Sequence, residues 1–249
     1  MDQITTDSKA LYNELRFGNF SYGREKYDSL LFEFLNKVKE YQSVFEIGCG
    51  SGYYADAYLR SGIKKEHLTL IDLAPSNIEN LKKRGFNAIC GDAMDLKLDD
   101  HVSNFTICTG VLHHLSNPAK GFAELVRITK PGGYIYLNVY NKWHPYFYIA
   151  HKLTFPIRWF YWNISKKIFD LIYPISKVFF QPFAYLALGE FLDDETGKIH
   201  FKDQILAPQV YLLSKSNIRS YAKKYNCKIE EFRYNRHRLM IAAIIKVNL

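Results

Sequence analysis

Apolar and polar residues alternate along the chain in a pattern that predicts strands separated by helices. Between residues 43 and 140, five short runs rich in β-branched and aromatic residues alternate with stretches whose apolar residues have helical spacing. The runs are SVFEIG (43–48), HLTLID (67–72), FNAIC (86–90), FTICTG (105–110) and YIYLNVY (134–140). Strands joined through helices form a parallel sheet with right-handed crossovers, so we predict an α/β fold.

The segments on either side of this block complete one predicted domain over residues 1–249. Residues 1–41 form N-terminal helices, the second from about Arg24, and 43–141 form the core. Residues 142–213 form an inserted segment, and Pro131-Gly132-Gly133 separates the fifth strand from the helix before it. Residues 214–249 give a helix and two strands, CKIEEFRY and LMIAAIIKV, close enough to pair as an antiparallel hairpin. The prediction is a Rossmann-like, mostly parallel seven-stranded sheet with flanking helices.

The inserted segment, 142–213, is the most aromatic part of the chain and is predicted to be helical. It contains Phe147, Tyr148, Trp159, Phe160, Tyr161 and Trp162. Its longest uncharged run, 178–189, contains Pro182 and is shorter than the ~18 to 20 residues that span a bilayer. We therefore predict no transmembrane helix here.

Composition and charge narrow the partners without identifying one. With 48% hydrophobic and 23% charged residues, the chain has an ordinary globular composition. The formal net charge of +8 favours anionic partners such as nucleic acid or a phospholipid surface, although a basic solvated surface without such a partner is equally compatible. The four cysteines form no CxxC pair, so no metal site is predicted, and the polar N-terminus predicts a cytoplasmic protein.

A glycine-rich turn follows the first predicted strand. Glu46-Ile47-Gly48-Cys49-Gly50-Ser51-Gly52 places three alternate glycines between an apolar strand and a helix, where backbone must turn sharply and let a ligand approach. The dinucleotide fingerprint would place its third glycine at position 53, which is Tyr. The motif therefore argues against a nicotinamide cofactor.

Acidic residues end the second and third predicted strands. The Asp72 carboxylate can accept hydrogen bonds from both hydroxyls of a ribose, and Asp92 can accept one from an adenine amino group, beside Ala93 and Met94. Any one of these acids could instead be a strand-end cap or a turn former. Together with Glu46 they predict one ligand site at the carboxyl edge of the sheet.

In this order and spacing, FEIGCGSG, LIDLAP, CGDAMDL, GVLHHL and ITKPGGYIYL resemble the class I S-adenosylmethionine-dependent methyltransferase family, over about residues 43–140. The resemblance implies S-adenosylmethionine as cofactor. It further implies that Glu46 faces the methionine amino group, Asp72 holds the ribose and Asp92 reaches the adenine. The cofactor set that it implies is Glu46, Gly48, Cys49, Gly50, Gly52, Asp72, Leu73, Asp92, Ala93 and Gly110.

A hydroxyl acceptor would benefit from a general base, for which histidine is best suited. His113 and His114 follow the fourth strand, and His113 is the candidate base, although a structural role for either one remains open. His144, His151 and His200 lie in the insertion and could reach the site.

We expect methyl transfer, with O-methylation favoured, to a small hydrophobic or lipid-linked metabolite, because the resemblance implies that the insertion forms a lid over the acceptor and its rings suit an apolar acceptor. Basic and aromatic residues over 146–190 are typical of a segment that associates with a membrane surface. Alternatives are a methyltransferase for modified tRNA uridines and a non-catalytic subunit that retains the fold.

Overall fold

A computed structural model describes residues 2–15, 28–37, 42–188, 191–235 and 238–248. Within these ranges, one seven-stranded sheet has the order β3-β2-β1-β4-β5-β7-β6. The first five strands are parallel, and β7 runs antiparallel to both β5 and β6. The strands are β1 (Val44–Ile47), β2 (Leu68–Asp72), β3 (Asn87–Cys90), β4 (Ser103–Thr109), β5 (Thr129–Tyr140), β6 (Cys227–Asn235) and β7 (Met240–Val247). The predicted Rossmann-like sheet with a C-terminal antiparallel pair is confirmed.

Helices flank the sheet in the order that the sequence predicts. They are α1 (Gln3–Glu14), α2 (Ser29–Lys37), α3 (Ala55–Arg60), α4 (Pro75–Lys83), α5 (Pro118–Ile128), α6 (Pro145–Leu153), α7 (Phe155–Asn163), α8 (Ile168–Leu188), α9 (Asp194–Phe201) and α10 (Lys215–Lys224). A π-helical turn, Lys202–Leu206, continues α9. The predicted start of the second helix, near Arg24, lies outside the described residues.

The fifth strand begins earlier than predicted. Thr129 already pairs with Ser103, so Pro131-Gly132-Gly133 lies within β5 and does not precede it. The pairing shifts register between Ser103 and Phe105. A proline cannot donate to a strand ladder, so the break that the sequence predicts takes the form of this shift.

Two apolar layers cover the two faces of the sheet. One contains the buried residues of α2, α3 and α4, and the other those of α5 and α10. The insertion has a third cluster, which joins the sheet at Tyr140, the last residue of β5, and Met240, the first of β7. The ring of Phe147 stacks on that of Tyr140 at 3.9 Å between centroids. The insertion is thereby held against the edge of the sheet at which the parallel strands end.

Candidate active site

A cavity lies at the carboxyl ends of β1, β2, β3 and β4, where open α/β sheets bind ligands. Nine of the ten residues predicted to bind the cofactor line it: Glu46, Gly48, Cys49, Gly50, Asp72, Leu73, Asp92, Ala93 and Gly110. Gly52 does not line it. A Cβ atom on Gly52 would lie 2.3 Å from Leu81 Cδ2 in α4, so this glycine permits close helix packing.

The turn after β1 depends on the glycine at position 48. Gly48 has a φ of +74°, which favours glycine, and a Cβ atom there would lie 2.1 Å from Val111 Cγ2. The amide groups of Gly48 and Cys49 both donate to the Ile71 carbonyl, at 2.7 and 3.0 Å. The turn therefore lies tightly against the end of β2, and Gly50 beyond it has open space on its Cβ side.

Two side-chain carboxylate or carbonyl oxygen atoms of the cavity wall are buried and accept no hydrogen bond from the residues that the structure describes. They are Glu46 Oε2 and Asn138 Oδ1, on side chains that are 2% and 1% exposed. The other Glu46 oxygen accepts from the Tyr58 hydroxyl at 3.0 Å. Burial raises the pKa of Glu46 to about 8, with smaller contributions from Asp72 and Asp28. This end of the cavity is therefore suited to a ligand group that donates hydrogen bonds or carries positive charge.

A fully buried carboxylate lies behind this wall. Asp28 accepts hydrogen bonds from the hydroxyls of Tyr54 and Tyr136 and from the side-chain amides of Asn138 and Asn235. Four donors satisfy most of the acceptor sites of one carboxylate, as burial of such a group requires. Asp28 thereby joins the N-terminal end of α2 to β5 and β6.

Asp72 and Asp92 both turn their carboxylates toward neighbouring backbone. Asp72 accepts from the Gly50 amide at 2.7 Å, the Ala74 amide at 2.9 Å and the Asn77 side chain at 3.1 Å. Burial raises the pKa of Asp72. Asp92 accepts from the Met94 amide at 2.8 Å. The turn-forming role open to each acid at the level of sequence is therefore present, and both line the cavity. Their ligand contacts stay a prediction.

His113 lies behind the cavity wall. Its side chain is fully buried, it stacks on Tyr140 at 3.7 Å between centroids, and its Nδ1 accepts from the Tyr140 amide at 3.3 Å. Burial lowers its pKa well below 6.5. His113 does not line the cavity, so the geometry favours the structural role for this residue, and its role as a base is not supported.

His114 faces the cavity instead, opposite an acid of the insertion. Its Nδ1 lies 3.4 Å from the Gln209 carbonyl oxygen, and its Nε2 lies 3.8 Å from Asp203 Oδ1. A carbonyl only accepts, so Nδ1 carries the proton in the neutral ring and Nε2 is the basic nitrogen. Burial lowers the pKa of His114 and the Asp203 carboxylate partly offsets this.

Two tyrosine hydroxyls complete this end of the cavity. Tyr12 of α1 donates to Asp203 Oδ1 at 3.2 Å, and Tyr140 of β5 donates to Asp203 Oδ2 at 3.2 Å. Asp203 belongs to the π-helical turn, a conformation that is frequent at functional sites. His114, Asp203, Tyr12 and Tyr140, called here the polar end, all line the cavity.

The aromatic side chains of the insertion occupy other positions than expected. None of Phe147, Tyr148, Trp159, Phe160, Tyr161 and Trp162 lines the cavity. Phe147 and Tyr161 are buried within the insertion, whereas Tyr148 and Trp159 are 60% and 50% exposed. The insertion reaches the cavity through His200, Asp203 and Gln204. The expectation that these rings line the acceptor pocket is therefore wrong.

The sequence profile of the methyltransferase domain family matches residues 45–137. Residues 45–137 therefore contain a methyltransferase domain, within a Rossmann-like sheet that extends to Val247. The matched range includes the glycine turn, Asp72, Asp92 and the histidine pair. S-adenosylmethionine is the cofactor that a methyltransferase domain implies.

Curated relatives of the methyltransferase domain differ in what they modify. A malonyl-[acyl-carrier protein] O-methyltransferase of Serratia marcescens is 28% identical over 96 residues, 38% of this chain and 36% of the relative. A tRNA (carboxymethyluridine(34)-5-O)-methyltransferase of Arabidopsis thaliana is 28% identical over 126 residues, 45% of this chain and 30% of the relative. The chain thus spans about a third of the length of these relatives.

Solved structures share the fold over the whole chain. The PH0226 protein of Pyrococcus horikoshii has a TM-score of 0.60 at 15% identity and covers 97% of this chain and 99% of its own. A methyltransferase of Haloferax volcanii, in complex with the Trm112 activator, has a TM-score of 0.57 at 14% identity, with coverage of 100% and 99%. These structures therefore share the overall fold of this chain.

The chemistry of the residues that line the cavity fits S-adenosylmethionine. The methionine part of this cofactor carries an ammonium group, and Glu46 Oε2 and Asn138 Oδ1 are buried acceptors without a described partner. The open space at Gly50 and Gly110 leaves room for a ligand beside the backbone. Glu46 and Asn138 would hold the methionine part, and Asp72 and Asp92 the nucleoside.

Sequence reasoning missed Tyr12, Asn138, Tyr140 and Asp203. Each of these residues lies outside the glycine turn, in another element or far from it along the chain. No local sequence motif identifies any of them as part of the site. The sequence offers both His113 and His114 as candidate bases, with His113 as the first choice. The conformation of the backbone turn at Leu112–His114 determines which of the two histidines faces the cavity. The sequence does not specify this conformation.

Proposed function

We propose that this chain transfers the methyl group of S-adenosylmethionine to a hydroxyl of a small acceptor bound at the polar end of the cavity. The observation that carries the proposal is the placement of His114 and Asp203 at 3.8 Å in the same cavity as the predicted cofactor residues. When bound, the cofactor supplies a methyl group on a positively charged sulfur, which already activates transfer. The remaining requirement is to orient the acceptor and to remove its proton.

His114 is suited to the proton transfer. His114 Nε2 would accept the proton that the acceptor hydroxyl loses as it is methylated, and the bound cofactor would supply the methyl group and keep the electron pair of its carbon–sulfur bond. The Asp203 carboxylate then stabilises the imidazolium that forms, since it lies beside the same nitrogen. Tyr12 and Tyr140 hold Asp203 in place through their hydroxyl groups. O-methylation therefore remains the favoured reaction.

The acceptor that we propose is a small metabolite that presents a polar, hydroxyl-bearing end to the cavity. His200, Gln204 and Asp203 contribute polar atoms where apolar rings were expected, so recognition at the reacting end rests on hydrogen bonds. A hydrophobic or lipid-linked portion would lie outside this end. The malonyl-[acyl-carrier protein] and ubiquinone-biosynthesis enzymes among the curated relatives are O-methyltransferases, which is compatible with this choice.

Calorimetric titration with S-adenosylmethionine, S-adenosylhomocysteine and NADH tests the cofactor first. We expect binding of the first two and none of NADH. An acceptor screen with radiolabelled methyl donor follows, with hydroxylated metabolites and lipid-linked phenols before tRNA. Folded protein that binds neither methionine-derived ligand would overturn the proposal and favour a non-catalytic subunit that retains the fold.

An RNA substrate is the second candidate, because curated relatives methylate carboxymethyluridine in tRNA and this chain has a net charge of +8. Binding to tRNA would then weaken steeply with salt, since phosphate contacts release counterions. Methyl incorporation into tRNA extracted from cells that lack the protein would favour this candidate over a metabolite.

A further inference from the structure

The long helix α8 is apolar on two opposite faces. Its inner face carries Phe169 and Tyr173, which are buried against Phe201. Gln181 on the same side exchanges hydrogen bonds with the Leu192 backbone at 2.6 and 3.0 Å. A helix that only covers its own domain would carry polar residues on the opposite side.

The opposite side of α8 is an exposed apolar stripe. Leu171, Ile175 and Val178 are 70%, 65% and 70% exposed, and Pro182 and Tyr185 continue the same spacing of four and three residues. This spacing places all five on one side of the helix, about 20 Å long at the rise of an α-helix. We call these five residues the outer face of α8. Exposed apolar patches of this kind mark contacts with a partner or a membrane.

The charge around the outer face restricts what covers it. Residues 142–188 contain six basic residues and one acidic residue, so this fifth of the chain carries a net charge of +5 out of +8. Lys166 and Lys167 are exposed directly before α8. The acidic residues at the start of α9 lie on the inner side of α8, where Asp194 forms ion pairs with Lys177 and Lys198. The outer face thus has basic surroundings and an apolar centre.

We propose that the outer face of α8 lies on an anionic membrane surface, with the helix in the plane of the interface. A second copy of the chain would bring two segments of charge +5 together, which opposes self-association through this face. An RNA backbone offers phosphate to the lysines but nothing to the exposed aliphatic side chains. An anionic bilayer matches both, because apolar side chains enter the acyl boundary while lysines remain at the headgroups.

The proposed mode is peripheral. Within the described residues, no helix is long and apolar enough to cross a membrane. Two prolines, Pro174 and Pro182, lie within α8. This inference goes beyond the proposed function, since binding to vesicles requires neither the cofactor nor the acceptor.

Sedimentation of the purified full chain with vesicles tests the proposal. Vesicles of phosphatidylcholine alone are compared with vesicles of phosphatidylcholine and phosphatidylglycerol in roughly equal parts, at low and at physiological salt. We expect binding to the anionic vesicles only. The triple variant Leu171→Ser/Ile175→Ser/Val178→Ser should reduce the bound fraction at least ~10-fold, as loss of buried apolar area predicts.

Charge is tested by a matched pair of variants. Lys166→Gln/Lys167→Gln should weaken binding to anionic vesicles, whereas Lys223→Gln/Lys224→Gln removes the same charge from exposed positions on α10 and should leave it unchanged. Circular dichroism and the affinity for S-adenosylmethionine report folding, because the outer face does not line the cavity. A folded wild-type chain that fails to sediment, or a triple variant that binds as well, would overturn the proposal. A concentration-dependent dimer that the triple variant abolishes would overturn it in favour of self-association.

Discussion

The Nε2 atom of His114 lies 3.8 Å from Oδ1 of Asp203, although the two residues come from different parts of the chain. His114 follows β4 in the methyltransferase domain, and Asp203 belongs to the π-helical turn of the insertion. Their side chains are 8% and 15% exposed, so the pair is shielded from bulk water. The acid of this pair therefore comes from the insertion and the base comes from the core. The pair forms only when the two parts pack together.

Replacing His114 should affect turnover, whereas replacing His113 should not. We expect His114→Gln to lower kcat by about 10²- to 10⁴-fold, the usual contribution of a positioned general base, with little change in cofactor affinity. The matched variant His113→Gln should retain turnover in the folded fraction, because His113 does not line the cavity. Single-turnover methyl transfer separates chemistry from binding. Equal losses in the two variants would contradict the assignment.

The Asp203→Asn substitution should alter the pH profile as well as the rate. The Asp203 carboxylate raises the pKa of His114 against the lowering effect of burial, so removing its charge should lower that pKa further. The acidic limb of the kcat profile would then move to lower pH, while kcat on the plateau falls. A reduced kcat with an unmoved limb would show that Asp203 serves only to position the turn.

Cofactor affinity should rise with pH through Glu46. The free protein holds this carboxyl protonated below its pKa of about 8, and binding an ammonium group favours the carboxylate. Binding should therefore release a proton, and affinity should increase up to ~10-fold per pH unit between about pH 6 and 7.5. Calorimetry in buffers of different ionisation enthalpy measures the proton directly. Glu46→Gln should bind more weakly, without the proton release.

Stability of the ligand-free protein should fall as pH rises, again through Glu46. The folded-state pKa is raised from 4.5 to about 8, so between these values the folded protein binds more protons than the unfolded chain. The free energy of unfolding therefore decreases across this window. Glu46→Gln should flatten the decrease in urea titrations, and Asp72, whose pKa burial also raises, should leave a slope of the same sign. An unchanged slope in the variant would contradict the prediction.

Two glycines with similar backbone angles provide a matched test of the cavity. Gly110 lines the cavity with a φ of +77°, and Gly132 lies in β5 with a φ of +80°; neither has an atom within 4 Å of an added Cβ. Alanine at each position should cost a similar ~1 to 2 kcal/mol in stability. Only Gly110→Ala should weaken S-adenosylmethionine binding. Equal affinities for the cofactor would show that Gly110 faces empty space in the complex.

The cofactor end of this site was predictable from sequence, and the polar end was not. Glu46, Asp72 and Asp92 end consecutive parallel strands, and the topology of such a sheet brings strand ends to one edge. No comparable topological rule predicts the position of Asp203, because that position depends on how the insertion packs onto Tyr140 and Met240. The aromatic residues of the insertion led to a wrong expectation for the same reason, because their positions also depend on how the insertion packs. A high aromatic content predicts that many of the rings are buried. The tertiary packing decides whether a given ring lines a cavity, lies in the core or stays on an exposed face.

Asn138 gives the cavity a mechanical connection to the N-terminal part of the chain. One end of its side-chain amide donates to the fully buried Asp28 at the start of α2, and the other end, Oδ1, belongs to the cavity wall. An amide is planar and rigid, so a ligand that fixes Oδ1 also fixes the donor on Asp28. We therefore expect cofactor binding and the docking of α2 to be thermodynamically linked, so that a change that loosens α2 also weakens the cofactor complex.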